Sequence, residues 1–125
     1  MNGSNYIADT NALIYLLAGN TCMKPYLNKR LGLSIISEIE MLSFSGITVS
    51  EEKCIQSMLK ECSVIPLNEG IKNQTVTLRR RYEIKIPDAI VAATAMECKL
   101  PLLTADKNFR QIELLDLILL NPQTA

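Results

Sequence analysis

Four carboxylates, Asp9, Glu40, Asp88 and Asp106, each adjoin a strongly apolar segment in a chain that contains no histidine. Without imidazole the usual general acid/base, the serine and cysteine triads and the commonest zinc ligand are all missing. Chemistry therefore falls to carboxylates, hydroxyls, lysines or a metal. Acids gathered in a poorly hydrated cleft repel one another unless they are protonated or neutralised by a cation. Oxygen-rich sites of this kind suit Mg²⁺ or Mn²⁺, which keep some waters and recruit phosphate oxygens. Phosphodiester hydrolysis is the natural use, since such ions activate water and neutralise phosphate charge without histidine. Taken singly, each acid has an ordinary structural explanation. Asp9 and Asp88 suit helix N-termini, Glu40 a solvated helix face, and Asp106 the start of a turn. Only convergence gives them a shared role.

The elements that would bring them together alternate between strand and helix. Tyr6-Ile7-Ala8 reads as a buried strand that runs into Asp9-Thr10-Asn11, where a helix carrying Leu13, Ile14, Leu16 and Leu17 begins; Gly19-Asn20 stops it. Leu33-Ser34-Ile35-Ile36 predicts a second strand, followed by a helix from about Ser37 to Phe44 with Glu40 one turn in. Ser50 to Cys62 predicts a helix capped by Ser50, then a strand over Val64-Ile65-Pro66-Leu67. A polar amphipathic helix spans Glu69 to Tyr82, and Pro87 opens a helix whose Ala89 to Met96 stretch is apolar nearly all round. Leu102-Leu103-Thr104 and Leu117-Ile118-Leu119-Leu120 are further strands, separated by a turn through Asp106. The expected architecture is α/β: a three-layer α/β/α sandwich with a mainly parallel central sheet of four to five strands, forming one domain over residues 1–125. In open parallel sheets, ligands bind where the carboxyl ends of the strands meet. Asp9 and Asp106 follow strands directly, Glu40 follows one through its helix, and Asp88 lies in the first turn of the buried helix.

Composition narrows the class. A chain of 125 residues, nearly half of them apolar, can bury one core without staples. The 13 Lys plus Arg balance 13 Asp plus Glu, so no global field draws the chain onto nucleic acid or a membrane, and any such contact is local. No segment approaches a membrane span and the N-terminus lacks a signal peptide, which predicts a cytoplasmic protein. Cys22, Cys54, Cys62 and Cys98 form no Cys-x-x-Cys pair and read as core thiols rather than a zinc site or disulfide framework. Arg79-Arg80-Arg81 is the one dense basic run, either a grip for RNA phosphates or a solvated helix end, the latter slightly preferred.

Four short segments together resemble the PIN-domain family, whose small bacterial members include VapC-type toxins. These are Ile7-Ala8-Asp9-Thr10-Asn11, Ser34 to Leu42, Pro87 to Ala95, and Leu103 to Phe109, and the resemblance runs from Tyr6 to Leu120. It implies that Asp9, Glu40, Asp88 and Asp106 bind Mg²⁺ or Mn²⁺, with Thr10 and Thr104 as supporting hydroxyls. Asn11 and Asn108 fall at neighbouring positions where members vary. Many members carry a further acid where Asn108 stands, and its absence here argues against a tightly held second metal. The resemblance further implies an endonuclease acting mainly on RNA, a homodimer, and often a small antitoxin whose tail blocks the cleft. Two other readings stay open on the residues alone: a phosphatase using Asp9 as nucleophile, and a non-catalytic module that binds a partner.

Overall fold

The computed structural model describes residues 3–122. Five strands form one parallel sheet: β1 (Tyr6–Ala8), β2 (Leu31–Ser34), β3 (Ser63–Ile65), β4 (Leu102–Thr104) and β5 (Leu117–Leu119), in the order β3-β2-β1-β4-β5. Parallel neighbours need crossovers, and five helices supply or flank them: α1 (Thr10–Leu17), α2 (Ile35–Ser43), α3 (Val49–Lys60), α4 (Glu69–Arg81) and α5 (Ile86–Cys98).

The two-residue period of the strands sorts their side chains onto two cores. Ile7, Ile65 and Leu102 pack with Ile71 and Leu78 of α4 and the alanine-rich α5. Their neighbours Ala8, Leu33 and Leu103 pack on the opposite face with Leu13 of α1 and Ile55 and Leu59 of α3. Both sheet faces are therefore covered, as the sequence predicts for an α/β/α sandwich. Gly32 sits in the middle of β2, where a Cβ would come within 3.1 Å of Ile7 and 3.2 Å of Ile65 side-chain carbons. Glycine there lets the two isoleucines close over the strand. In α5 every residue from Ala89 to Ala95 is buried, so the expected all-round burial of that helix is observed.

Several boundaries differ from the sequence reading. β2 ends at Ser34, not Ile36, because the Ser34 hydroxyl accepts the Ile36 N–H at 3.1 Å and starts α2 two residues early. The α3 cap is Thr48 rather than Ser50, in a reciprocal box with Glu51 in which each side chain accepts the other's backbone N–H at 3.0 Å. β3 stops at Ile65, before Pro66. Short 3₁₀ helices occupy Thr21–Tyr26 and Lys107–Gln111, the second of them following the turn expected through Asp106. The cysteines are free but are not all core thiols: Cys54 is exposed on α3, and the other three are half-buried. Among the described residues, no helix is long and apolar enough to cross a membrane.

Candidate metal centre

The strand order turns outward in opposite directions from β1 and β4, so their carboxyl ends flank the crevice in which doubly wound sheets place ligands. The ladder there runs one residue past β1: the Asp9 N–H donates to the Leu103 carbonyl at 2.9 Å, which sets Asp9 beside Thr104. Asp9 also caps α1, its Oδ1 accepting the Thr10 N–H at 2.8 Å. The helix-capping role expected of Asp9 is thus observed.

Around Asp9 the polar groups close into a network. The Thr104 hydroxyl donates to Asp9 Oδ2 at 2.8 Å, and Asn11 Nδ2 donates to the same oxygen at 3.2 Å and to Thr104 Oγ1 at 3.1 Å. Asn11 Oδ1 accepts the Ala105 N–H at 3.0 Å, and Thr104 Oγ1 accepts the Asp106 N–H at 3.1 Å. Asp106 caps the following 3₁₀ helix, accepting the Asn108 N–H at 2.9 Å. Asn108 itself is exposed, and its side-chain oxygen accepts from Gln111 at 3.2 Å. From α2, Glu40 reaches α1 by accepting the Thr10 hydroxyl at 2.5 Å. Asp88 is half-buried in the first turn of α5, after a loop pinned by Arg79, whose guanidinium donates to the Ile84 carbonyl at 2.7 Å.

The acids feel one another. Burial raises the Asp9 carboxyl above its ordinary value, opposed by the hydrogen bonds from Thr104 and the Thr10 N–H, and the negative charges of Asp88 and Glu40 raise it further. Asp88 is raised first by burial, then by Asp106 and Glu40, with Lys85 pulling the other way. The structure thus brings all four sequence-predicted acids into one electrostatic group, with Asp88 coupled to each of the others. Among the described residues, no three His, Cys, Asp or Glu side chains stand close enough together to hold an ion as they are. The donors nonetheless fit a hard divalent cation in type: all are carboxylate oxygens, Asp9 is only 7% exposed, and added positive charge would relieve the repulsion that raises Asp9 and Asp88.

Two features lie beside this group. An apolar groove of about 590 Å³ runs between α1, α2 and α3, walled by Ile14, Met41, Phe44 and Ile55 and sharing Thr10 and Glu40 with the acidic cluster. The basic run at the end of α4 divides: Arg79 is engaged with the loop before Asp88, whereas Arg80 and Arg81 are exposed, Arg81 stacking 5.9 Å above the Tyr82 ring. The Asn11–Thr104 contact joins residues 93 apart in sequence, and spacing along the chain gave no signal of it.

No curated protein matches the chain in sequence. Among solved structures, a toxin–antitoxin complex from Klebsiella pneumoniae is similar at 29% identity and a TM-score of 0.77, covering 90% of this chain and 95% of that one. VapBC-1 from nontypeable Haemophilus influenzae is similar at 24% identity and 0.77, covering 91% and 96%. VapBC2 from Rickettsia felis, bound to a DNA fragment from its promoter, shares the fold at 18% identity and 0.79, covering 93% and 98%. The PIN domain family model matches residues 6–115, a span containing the whole acidic group and the network that orients it, and the chain belongs to that family.

Proposed function

We propose that this chain is a metal-dependent endoribonuclease and the toxin of a type II toxin–antitoxin pair. The observation that carries the reading is the raising of two carboxyls at the crevice between β1 and β4, each first by burial and then by neighbouring negative charge: buried Asp9 by Asp88 and Glu40, and half-buried Asp88 by Asp106 and Glu40. Such a cluster is costly to maintain unless a cation and a phosphate chemistry use it. Asp9, Asp88 and Asp106 would hold Mg²⁺ or Mn²⁺. When bound, the ion supplies Lewis acidity toward a phosphodiester and its attacking water. Thr104 and Asn11 hold the Asp9 carboxylate in place, and the same threonine fixes the backbone at Asp106. Thr10 holds the Glu40 carboxylate, which is exposed and free to orient a water. Arg80 and Arg81 are the side chains of the basic run available to RNA phosphates, while Arg79 steadies the approach to Asp88.

The similarity to toxin–antitoxin complexes supports a small antitoxin as partner. Its docking place would be the apolar groove between α1, α2 and α3, because an occupant there meets Glu40 and Thr10 and so bears directly on the acidic group. A homodimer and a cytoplasmic location belong to the same reading. Calorimetric titration of Mn²⁺ tests it together with RNA cleavage in Mg²⁺, Mn²⁺ and EDTA. Binding, with cleavage that EDTA abolishes, is expected. Failure to bind Mn²⁺ at millimolar concentration would favour instead a partner-binding module without catalysis, for which Asn108 in place of an acid is the supporting feature.

A further inference from the structure

We infer that Asn11 is a positioning residue that turns Asp9 into a one-oxygen ligand and thereby sets which divalent cation the site accepts; this rests on the metal-dependent reading above. The inference comes from counting lone pairs. An ionised carboxylate offers about four acceptor sites, two on each oxygen. Oδ2 of Asp9 receives both the Thr104 hydroxyl at 2.8 Å and Asn11 Nδ2 at 3.2 Å, and is filled. Oδ1 receives only the Thr10 N–H at 2.8 Å and keeps one lone pair.

The network has a single direction. Ala105 offers a backbone N–H at 3.0 Å, which requires the oxygen of the Asn11 amide and leaves its nitrogen to face Asp9 and Thr104. Thr104 accepts from the Asp106 N–H and from Asn11, and its one hydrogen goes to Asp9 at 2.8 Å rather than to Asn11 Oδ1, which lies 3.5 Å away. Turning the amide over would face its NH₂ to the Ala105 N–H and strip Oδ2 of a donor. An aspartate at position 11 could accept from Ala105 but could donate to neither partner. Asparagine is thus the side chain that satisfies all three neighbours.

A filled Oδ2 has a consequence for the cation. Ca²⁺ readily takes carboxylates through both oxygens, whereas small ions such as Mg²⁺ bind them through one in an octahedral shell. With Oδ2 occupied, Asp9 presents one oxygen and disfavours the larger ion. Removing the Asn11 amide frees a lone pair on Oδ2, loosens the carboxylate and admits two-oxygen binding.

The test is calorimetric titration of MnCl₂ and CaCl₂ into the wild-type chain, Asn11→Ala and Asn11→Ser at pH 7, with thermal unfolding in EDTA alongside. Loss of a hydrogen-bonding partner behind a ligand typically weakens metal affinity 10- to 100-fold. Both variants should bind Mn²⁺ at least about tenfold more weakly while Ca²⁺ binding changes little, so that the Mn²⁺ preference falls by a similar factor. A preserved Mn²⁺/Ca²⁺ ratio, with or without a lower melting temperature, overturns the inference. Wild-type crystals grown with Mn²⁺ test it without any variant: Oδ1 alone at bonding distance supports it, and both oxygens at bonding distance overturn it. A wild-type chain that binds no Mn²⁺ overturns the proposed function, and this inference falls with it.

Discussion

Replacing Thr104 by valine tests whether one hydroxyl pins the acidic site. Thr104 is fully buried at the end of β4, and its Oγ1 takes part in the bonds to Asp9, Asn11 and the Asp106 N–H. Valine keeps the shape and removes all three. The bond into the carboxylate contributes roughly 1.5–3 kcal/mol, as hydrogen bonds to charged groups do. Asn11 and Asp106 are only half-buried, so water can replace part of what they lose, and each adds about 0.5 kcal/mol. The expected loss is about 2.5–4 kcal/mol, or roughly 10–15 °C in melting temperature for a chain of this size. Thr104→Ser keeps the hydroxyl, loses one buried methyl, and should cost about 1 kcal/mol.

Charge makes the valine deficit depend on pH. Burial already raises the Asp9 carboxyl, and the Thr104 bond is the largest influence holding it down. A carboxyl raised in the folded state binds its proton more tightly there than in the unfolded chain, so stability falls as pH rises through the folded value. Removing the Thr104 bond raises Asp9 further and enlarges that loss. The deficit should therefore be greatest at neutral pH and shrink as the pH falls toward the ordinary carboxyl value of 3.8. Urea unfolding of both variants at pH 4 and pH 7 measures this. A valine variant as stable as the serine variant at pH 7, or a deficit unchanged at pH 4, would refute the role assigned to the hydroxyl.

Asp88→Asn should stabilise the metal-free protein at pH 7 by less than about 1 kcal/mol, since it removes a half-buried charge that Asp106 and Glu40 repel while water screens part of the effect. The gain should vanish in acid, where the aspartate is protonated, and denaturant melts across pH check both. Thr48→Ala removes one half of the α3 capping box and should cost about 0.5–2 kcal/mol, read as a lower urea midpoint at constant slope. Gly70→Ala, near the start of α4, would place a Cβ 2.6 Å from a Glu97 carboxylate oxygen. That oxygen ends an exposed, flexible side chain, so it should swing aside and leave a gain of up to about 1 kcal/mol from the stiffer backbone in thermal unfolding.

Much of this molecule is legible in its sequence because its strands are short apolar runs and its helices repeat their apolar residues in step with the turn. The parallel sheet, the buried α5 and the positions of Asp9 and Asp106 after strands all follow from that patterning. The patterning misleads where a single side chain overrides it. Ser34 looks like a strand residue between apolar neighbours, yet its hydroxyl caps α2 and ends the strand. Thr48 and Glu51 carry a T-x-x-E signature that marks the start of α3 more accurately than the first acidic turn does. The two 3₁₀ helices have too few turns to show a period, and Pro25 inside one of them suggests a loop. Local patterning shows which strand ends bear acids, but it does not show which hydroxyl or amide orients them. Thr104 and Asn11 meet only because β1 and β4 are neighbours, and the sequence reading named them through family resemblance alone.

The central claim is that the cluster of Asp9, Glu40, Asp88 and Asp106 cleaves RNA with a divalent cation. Its most direct test compares the wild-type chain with Asp88→Asn on one labelled RNA, in Mn²⁺ and in EDTA, after unfolding curves establish that both are folded. Cleavage by the wild type in Mn²⁺ alone, with at least about a hundredfold loss in Asp88→Asn, is the predicted result. Equal cleavage in EDTA, or full activity in a folded Asp88→Asn, would contradict it.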